Sequence, residues 1–121
     1  MNAFGKSLNE RSLKFAVRVV KLAQYLTVEQ KEFVLSRQIV RSGTSIGSNI
    51  REAQFAQSTA DFISKLSIAL KEGSETQYWL EVLFQAGYLN EKQYTSLRSD
   101  VDRLVGLLVK SINSTKAKLR Q

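Results

Sequence analysis

The segment from Ser36 to Gln54, SRQIVRSGTSIGSNIREAQ, is the most informative part of this chain. Its apolar and small residues recur at helical spacing, yet two of them, Gly43 and Gly47, each cost a helix about 1 kcal/mol relative to alanine. A helix keeps glycines at such positions where another backbone packs closely against it. We therefore expect both glycines to lie against the small residues Ala69 and Gly73 of a later helix.

Helical periodicity extends outward from this stretch in both directions and predicts four helices. Ser7 and Thr27, each followed three residues later by Glu or Gln, have the spacing of capping boxes and predict the first two helix starts. Ser58 and Asn90 are favourable N-cap residues, and Gly87 suits a helix C-terminus. Short connections between long helices favour an all-α, antiparallel up-down-up-down four-helix bundle. The predicted helices of this single domain (residues 1–121) span about residues 8–26, 28–56, 59–86 and 91–116.

The composition narrows the function classes. The 121 residues include no histidine, cysteine or proline. The chain therefore lacks the commonest general base and the commonest metal ligands, and no phosphate-binding glycine motif follows a strand. We expect a protein that is not an enzyme and that uses neither a metal nor another cofactor. The absence of a signal-like apolar run or an 18-residue apolar stretch predicts a cytoplasmic protein without a membrane span.

Polar residues share one face of the second predicted helix, where Ser45, Asn49 and Glu52 follow one another at i, i+4 and i+7. Buried polar groups are usually hydrogen-bonded and can fix the register of packed helices. We interpret these three residues, together with Glu75, as a structural polar layer inside the bundle. The alternative is carboxylate catalysis, in which Glu52 faces Glu72 and Glu75 across the second and third helices.

The net charge of +7 is unevenly distributed. Residues 1–51 carry nine Lys/Arg and three acids, residues 106–121 carry four and none, and residues 52–105 have an acidic excess. This asymmetry favours polyanions such as nucleic acid, although a basic surface that only maintains solubility is the alternative. No aromatic residues are interleaved with the basic ones, so we expect contact with backbone phosphates and not base stacking. The candidates are Arg11, Lys14, Arg18 and Lys21 on the first helix, Arg37 and Arg41 on the second, and Lys116, Lys118 and Arg120 in the tail.

Four large side chains extend beyond the main apolar stripe of the third predicted helix, namely Tyr78, Trp79, Val82 and Phe84. Aromatic residues away from the core line are enriched at protein interfaces. The alternative is that the third helix is central and buried on most sides. The residues alone leave both interpretations open.

Two stretches carry a family resemblance: QIVRSGTSIGSNIREA (residues 38–53) and STADFISKLSIALKEGSETQYWL (residues 58–80), followed by AGYL (residues 86–89). They resemble the bacterial four-helix-bundle family of proteins encoded in intervening sequences of 23S ribosomal RNA genes, to which the accessory variability determinant of diversity-generating retroelements is related. The resemblance implies a ring-like homopentamer with a basic surface suited to nucleic acid, and it favours the subunit-interface interpretation of the aromatic residues. Many members have a proline and a glycine where this chain has Gly47 and Ala53, which places it in a sub-branch.

These observations together predict a non-enzymatic, cytoplasmic helical bundle that forms a homo-oligomer, expected to be a pentamer. Its expected role is electrostatic binding of RNA or DNA as an accessory protein. The alternative is a protein–protein scaffold or adaptor with no nucleic-acid role, whose partner is another protein. In that case the aromatic surface would carry the function.

Overall fold

The computed structural model describes residues 3–120, with side chains from residue 5 onward. Four helices follow one another along the chain: α1 (Ala3–Val28), α2 (Leu35–Ala53), α3 (Thr59–Gln85) and α4 (Glu91–Leu119). Each helix packs against the helices next to it in the sequence, and α4 also packs against α1. The α1–α4 contact is the smallest of these four helix–helix contacts. The prediction of an all-α, antiparallel four-helix bundle is confirmed.

Apolar side chains at helical spacing on all four helices form one core. Each helix turns one stripe inward, as the heptad-like spacing of Phe15, Val19, Leu22 and Leu26 on α1 illustrates. The largest fully buried side chains come from every helix: Phe15, Leu26, Ile39, Ile46, Leu66, Leu80, Leu83, Leu104 and Leu108. Burial of such side chains is the main force that holds the helices together.

The boundary between α1 and α2 differs from the prediction, because α2 begins at Leu35 and not near Val28. Thr27 does not cap a helix: its hydroxyl donates to the carbonyl of Ala23 inside α1. The carboxylate of Glu32 takes the capping role and accepts from the backbone N–H groups of Leu35 and Ser36 at 3.0 and 2.8 Å. A carboxylate at a helix N-terminus satisfies free donors and complements the helix dipole, so Glu32 fixes this start.

The other helix ends follow the predictions more closely. α1 begins at Ala3 and not at Leu8, so Ser7 does not cap it but lies inside the helix, where its hydroxyl accepts from the Arg11 guanidinium. Ser58 caps α3 by accepting from the backbone N–H of Asp61, and Asn90 forms a complete capping box with Gln93. Gly87, with a φ of +89°, has the left-handed conformation expected just after a helix. α2 ends at Ala53, three residues before the predicted end.

The glycines of α2 pack against α1, not against Ala69 and Gly73 as predicted. A methyl group at Gly43 would lie 2.8 Å from a methyl group of Val19, and one at Gly47 would lie 3.3 Å from the hydroxyl of Ser12. Gly73 instead makes room for Val105 of α4. Small residues therefore bring α2 close to α1 and α3 close to α4.

Candidate nucleic-acid interface

Basic side chains from α1 and α4 meet along the seam between these two antiparallel helices. Arg11 and Lys14 of α1 line a small cleft of about 100 Å³ together with Asp100 and Arg103 of α4. Arg11, Lys14 and Arg103 all remain exposed to solvent. The bundle topology thus adds a cation from the fourth helix to the stripe predicted on the first.

One residue of the predicted stripe is held by a fixed partner. Arg18 pairs with Asp100 at 2.5 Å and donates to the hydroxyl of Ser96 at 2.9 Å. Lys21 lies one turn further along α1 and is exposed. The ion pair orients the Arg18 guanidinium along the seam and neutralises part of its charge.

The basic surface continues along α4 toward the end of the bundle. Lys110 and Lys118 follow Arg103 at i+7 and i+15, which is one face of a helix, and both line a groove at that end. Sequence reasoning missed Arg103 and Lys110, although their helical spacing and the expected α1–α4 contact together could have indicated them. We call the following seven residues the basic band: Arg11, Lys14, Arg18, Lys21, Arg103, Lys110 and Lys118.

The predicted cations of α2 lie elsewhere on the molecule. Arg41 pairs with Glu72, at 3.3 Å, and with Glu75, both on α3. The hydrogen bond from Arg41 lowers the pKa of the Glu75 carboxyl below its ordinary value of 4.5. The indole N–H of Trp79 lies close enough to lower this pKa further, although its geometry is not that of a hydrogen bond. Arg37 is exposed at the beginning of α2. These two arginines do not join the basic band.

The basic residues of the tail divide between the groove and open solvent. Lys118 lines the groove, whereas Lys116 and Arg120 are exposed at the end of α4. Cations at a helix C-terminus interact favourably with the helix dipole, so this placement also has a purely structural explanation.

The structure does not bring the predicted polar layer together. The hydroxyl of Ser45 donates to the Arg41 carbonyl, and the Asn49 amide donates to the Ser45 carbonyl, so both bonds stay within α2. Glu52 is exposed, and Glu75 pairs with Arg41. Ser45 and Asn49 are thus satisfied within their own helix, whereas Glu75 of α3 is satisfied by Arg41 of α2.

The buried polar contact between α2 and α3 is formed by Ser42 and Thr76, whose hydroxyls lie 2.9 Å apart. Thr76 also contacts the Glu72 carbonyl at 2.8 Å. Sequence reasoning missed this pair because the contact depends on which faces of α2 and α3 meet. Within residues 3–120, no three His, Cys, Asp or Glu side chains are arranged as a possible metal site.

The four predicted interface residues do not form one patch. Tyr78 is exposed and makes an edge contact with the partly buried ring of Trp79, at a centroid distance of 5.2 Å. The indole N–H of Trp79 is buried without a hydrogen-bond partner among the described residues. Val82 is half-buried, and Phe84 stacks on Tyr94 of α4 in the same chain, at 4.4 Å. Phe84 is therefore occupied within the bundle.

A separate line of exposed apolar side chains runs along the outer surface of α1. Leu13, Val17 and Val20 lie at i, i+4 and i+7 and are 55%, 48% and 42% exposed. This spacing places them on one face of the helix, and their exposure shows that the face points away from the core. We call these three residues the outer apolar line. None of the helices in the described part of the chain has the length and apolarity to cross a membrane.

Comparison with known proteins agrees with this architecture. The chain is similar to a crystal structure described as a protein with unknown function from the S23 ribosomal protein family of Bacteroides thetaiotaomicron VPI-5482. The TM-score is 0.90 and the sequences are 54% identical, over 91% of this chain and 98% of that one. No curated protein gives a significant match. The family described as 23S rRNA-intervening sequence protein matches residues 7–110, and the chain therefore belongs to that family.

Proposed function

We propose that this protein is a non-enzymatic accessory protein of the cytoplasm that binds RNA or DNA through the basic band. The observation that carries the proposal is the convergence of cations from α1 and α4 on one seam, where Asp100 is the one acid lining the cleft. Cations concentrated on one surface attract polyanions and release their counterions on binding. The family's association with intervening sequences of 23S rRNA is consistent with an RNA ligand.

The proposed mode of binding along the seam is contact with backbone phosphates. Lys14 and Arg103 have exposed, flexible side chains that present charge to solvent. They are not held in the fixed orientation that hydrogen bonding to a particular base edge would need. Contacts of this kind position a nucleic acid without reading its sequence. The proposal therefore includes tolerance of sequence and a strong dependence on salt.

We further propose that the protein acts as a homopentamer, so that the basic band is repeated around a ring. The outer apolar line supports an oligomer, since contiguous exposed apolar residues on a soluble protein often mark an interface. The exposed Tyr78 and the half-buried Trp79 are further candidates for contact with a neighbouring subunit. Sedimentation or light scattering gives the mass in solution: five times 13.7 kDa is expected, and a monomer would contradict the proposal.

A matched pair of charge reversals tests the nucleic-acid proposal. Lys14→Glu changes the basic band, whereas Lys71→Glu changes an exposed lysine on α3, away from the seam. We expect Lys14→Glu to weaken binding of a labelled RNA and to reduce the slope of log affinity against log salt by about 1. Lys71→Glu should have a much smaller effect. Equal effects of both variants would show that only the net charge matters.

The alternative function is a protein–protein scaffold, and the outer apolar line is the observation that favours it. A scaffold would bind its partner through apolar contacts, which salt weakens little. Reversing the charges of Arg11, Lys14, Arg18 and Lys21 together distinguishes the two functions. Capture of a protein partner would survive this change, whereas nucleic-acid binding would be lost.

A further inference from the structure

A groove of about 1130 Å³ opens at the end of the bundle, where the α2–α3 connection meets the end of α4. Its floor is apolar and includes the buried side chains of Ile50 and Leu66. Phe55, in the α2–α3 connection, lines this groove and is 80% exposed, the highest value among the large hydrophobic residues that the structure describes. The ring of Phe55 therefore lies open beside an apolar floor, with little cover from the residues that the structure describes.

The charge of the groove shows what kind of ligand suits it. Two of the residues that line it, Lys110 and Lys118, are basic, and none is acidic. Both lysines belong to the basic band, so the groove continues the surface that begins at Arg11 and Lys14. The distance along α4 from Arg103 to Lys118 is about 22 Å at 1.5 Å per residue. A polyanion lying along the band would therefore reach the groove.

We propose that the groove holds unpaired nucleotides of a single nucleic-acid strand, whose backbone lies along the basic band. This inference rests on the proposed function and makes its ligand more specific. Aromatic side chains beside a basic path are the usual means of binding single strands, because every base presents a face that can stack. An acidic helical peptide could pair with the same lysines, so it is the alternative that the test below separates from a nucleic-acid strand.

Each part of the groove has a separate role in this account. Phe55 stacks on a base, and Lys110 and Lys118 contact the adjacent phosphates. The hydroxyl of Ser114 and the amide of Gln57, which also line the groove, are placed to bond base edges or a ribose hydroxyl. A duplex keeps its bases paired and stacked, so it can use the basic band but cannot use Phe55.

The test compares a labelled RNA strand of about 12 nucleotides with the same strand annealed to its complement. Fluorescence anisotropy measures both affinities for the wild type and for Phe55→Ala, Phe55→Tyr, Phe33→Ala and Lys14→Glu. Phe33 is the matched control because it is an exposed phenylalanine, 55% accessible, in the connection at the opposite end of α2. Circular dichroism verifies that each variant is folded.

We expect Phe55→Ala to weaken single-strand binding by about 5- to 150-fold, which is the range for loss of one stacked base. Duplex binding should not change, Phe55→Tyr should retain affinity, and Phe33→Ala should match the wild type. If Phe55→Ala binds the single strand normally while Lys14→Glu does not, the inference that the groove holds nucleotides is wrong, and the proposed function stands. If wild type binds neither RNA at low salt, the proposed function itself fails.

A polyanion without bases separates stacking from charge. Polyglutamate of similar length, added as a competitor, should displace the strand only weakly and with equal effect on the wild type and Phe55→Ala. A different result would be that labelled polyglutamate binds directly and loses as much affinity in Phe55→Ala as the single strand does. This result would overturn the inference in favour of an acidic peptide.

Discussion

Arg18 of α1 and Asp100 of α4 form an ion pair of 2.5 Å across the seam that carries the basic band. The pair joins the two helices whose mutual contact is the sparsest in the bundle. Both side chains are more than a third exposed, so the pair contributes little to stability. Its main effect is electrostatic, because Asp100 neutralises one cation and places a negative charge beside Arg11 and Lys14.

Asp100→Asn should therefore strengthen nucleic-acid binding. The change frees Arg18 and removes the acid from the cleft, so one additional phosphate contact should steepen the slope of log affinity against log salt by about 0.7–0.9. Asp102→Asn is the control, since it alters the charge equally but Asp102 bonds Arg98 and Gln77 on the side of α4 that faces α3. A steeper slope for Asp102→Asn than for Asp100→Asn would contradict the role given to the seam.

The second prediction concerns the close approach of α1 and α2. Gly43→Ala places a methyl group 2.8 Å from Val19 and should destabilise the fold by about 1–3 kcal/mol, as overpacking does. Gly106→Ala is the matched control, because a methyl group there meets nothing within 4 Å. Gly106→Ala should stabilise α4 by up to about 1 kcal/mol. Urea unfolding measures both, and a stabilising Gly43→Ala would show that the helices separate at no cost.

The third prediction concerns the buried hydroxyl pair. Thr76→Val leaves the buried Ser42 hydroxyl without its partner on α3, which should cost about 1–3 kcal/mol in the free energy of unfolding. Combining it with Ser42→Ala removes both polar groups, so the double variant should be more stable than Thr76→Val alone. Additive losses in a double-mutant cycle would mean that the two hydroxyls do not interact.

The fourth prediction is a pH dependence from Glu75. Its pKa in the folded protein is lowered by Arg41, so the stabilisation is present above the ordinary value of 4.5 and is lost as the pH falls through the folded value. Glu75→Gln should be less stable than the wild type at pH 7, and this difference should shrink as the pH falls below about 4.5. Urea unfolding at several pH values measures it. Glu52→Gln, an exposed site on α2, controls for loss of a carboxylate, and a constant difference for Glu75→Gln would contradict the assignment.

The sequence predicted the helices well and their contacts poorly. Periodicity locates a helix because the core stripe repeats within one segment, and Ser58, Gly87 and Asn90 act through neighbouring residues. The start of α2 was predicted wrongly because two segments have the spacing of a helix cap. The Glu32 carboxylate accepts from backbone N–H groups three and four residues later, and Thr27 and Gln30 have a similar spacing without forming a cap. The local sequence does not show which of these two segments caps a helix.

The contacts between helices depend on which face each helix presents to each neighbour. These faces were predicted wrongly for the glycines of α2. Gly43 faces Val19 of α1 and not Gly73 of α3, and its spacing within α2 does not specify which of these neighbours it meets. The basic stripe on α1 could be predicted from spacing alone. The structure was needed to place α4 beside α1. Only then does the stripe extend to Arg103 and Lys110 and continue into the groove beside Phe55.

RNA affinity at two salt concentrations is the measurement that shows whether the basic band binds nucleic acid. Wild-type protein is titrated into a labelled single strand and a labelled duplex at about 50 and 200 mM salt. We expect binding at the lower concentration and a loss of affinity of about 10- to 1,000-fold at the higher one, as several phosphate contacts would give. No binding at low salt, or an affinity that salt does not change, would contradict it.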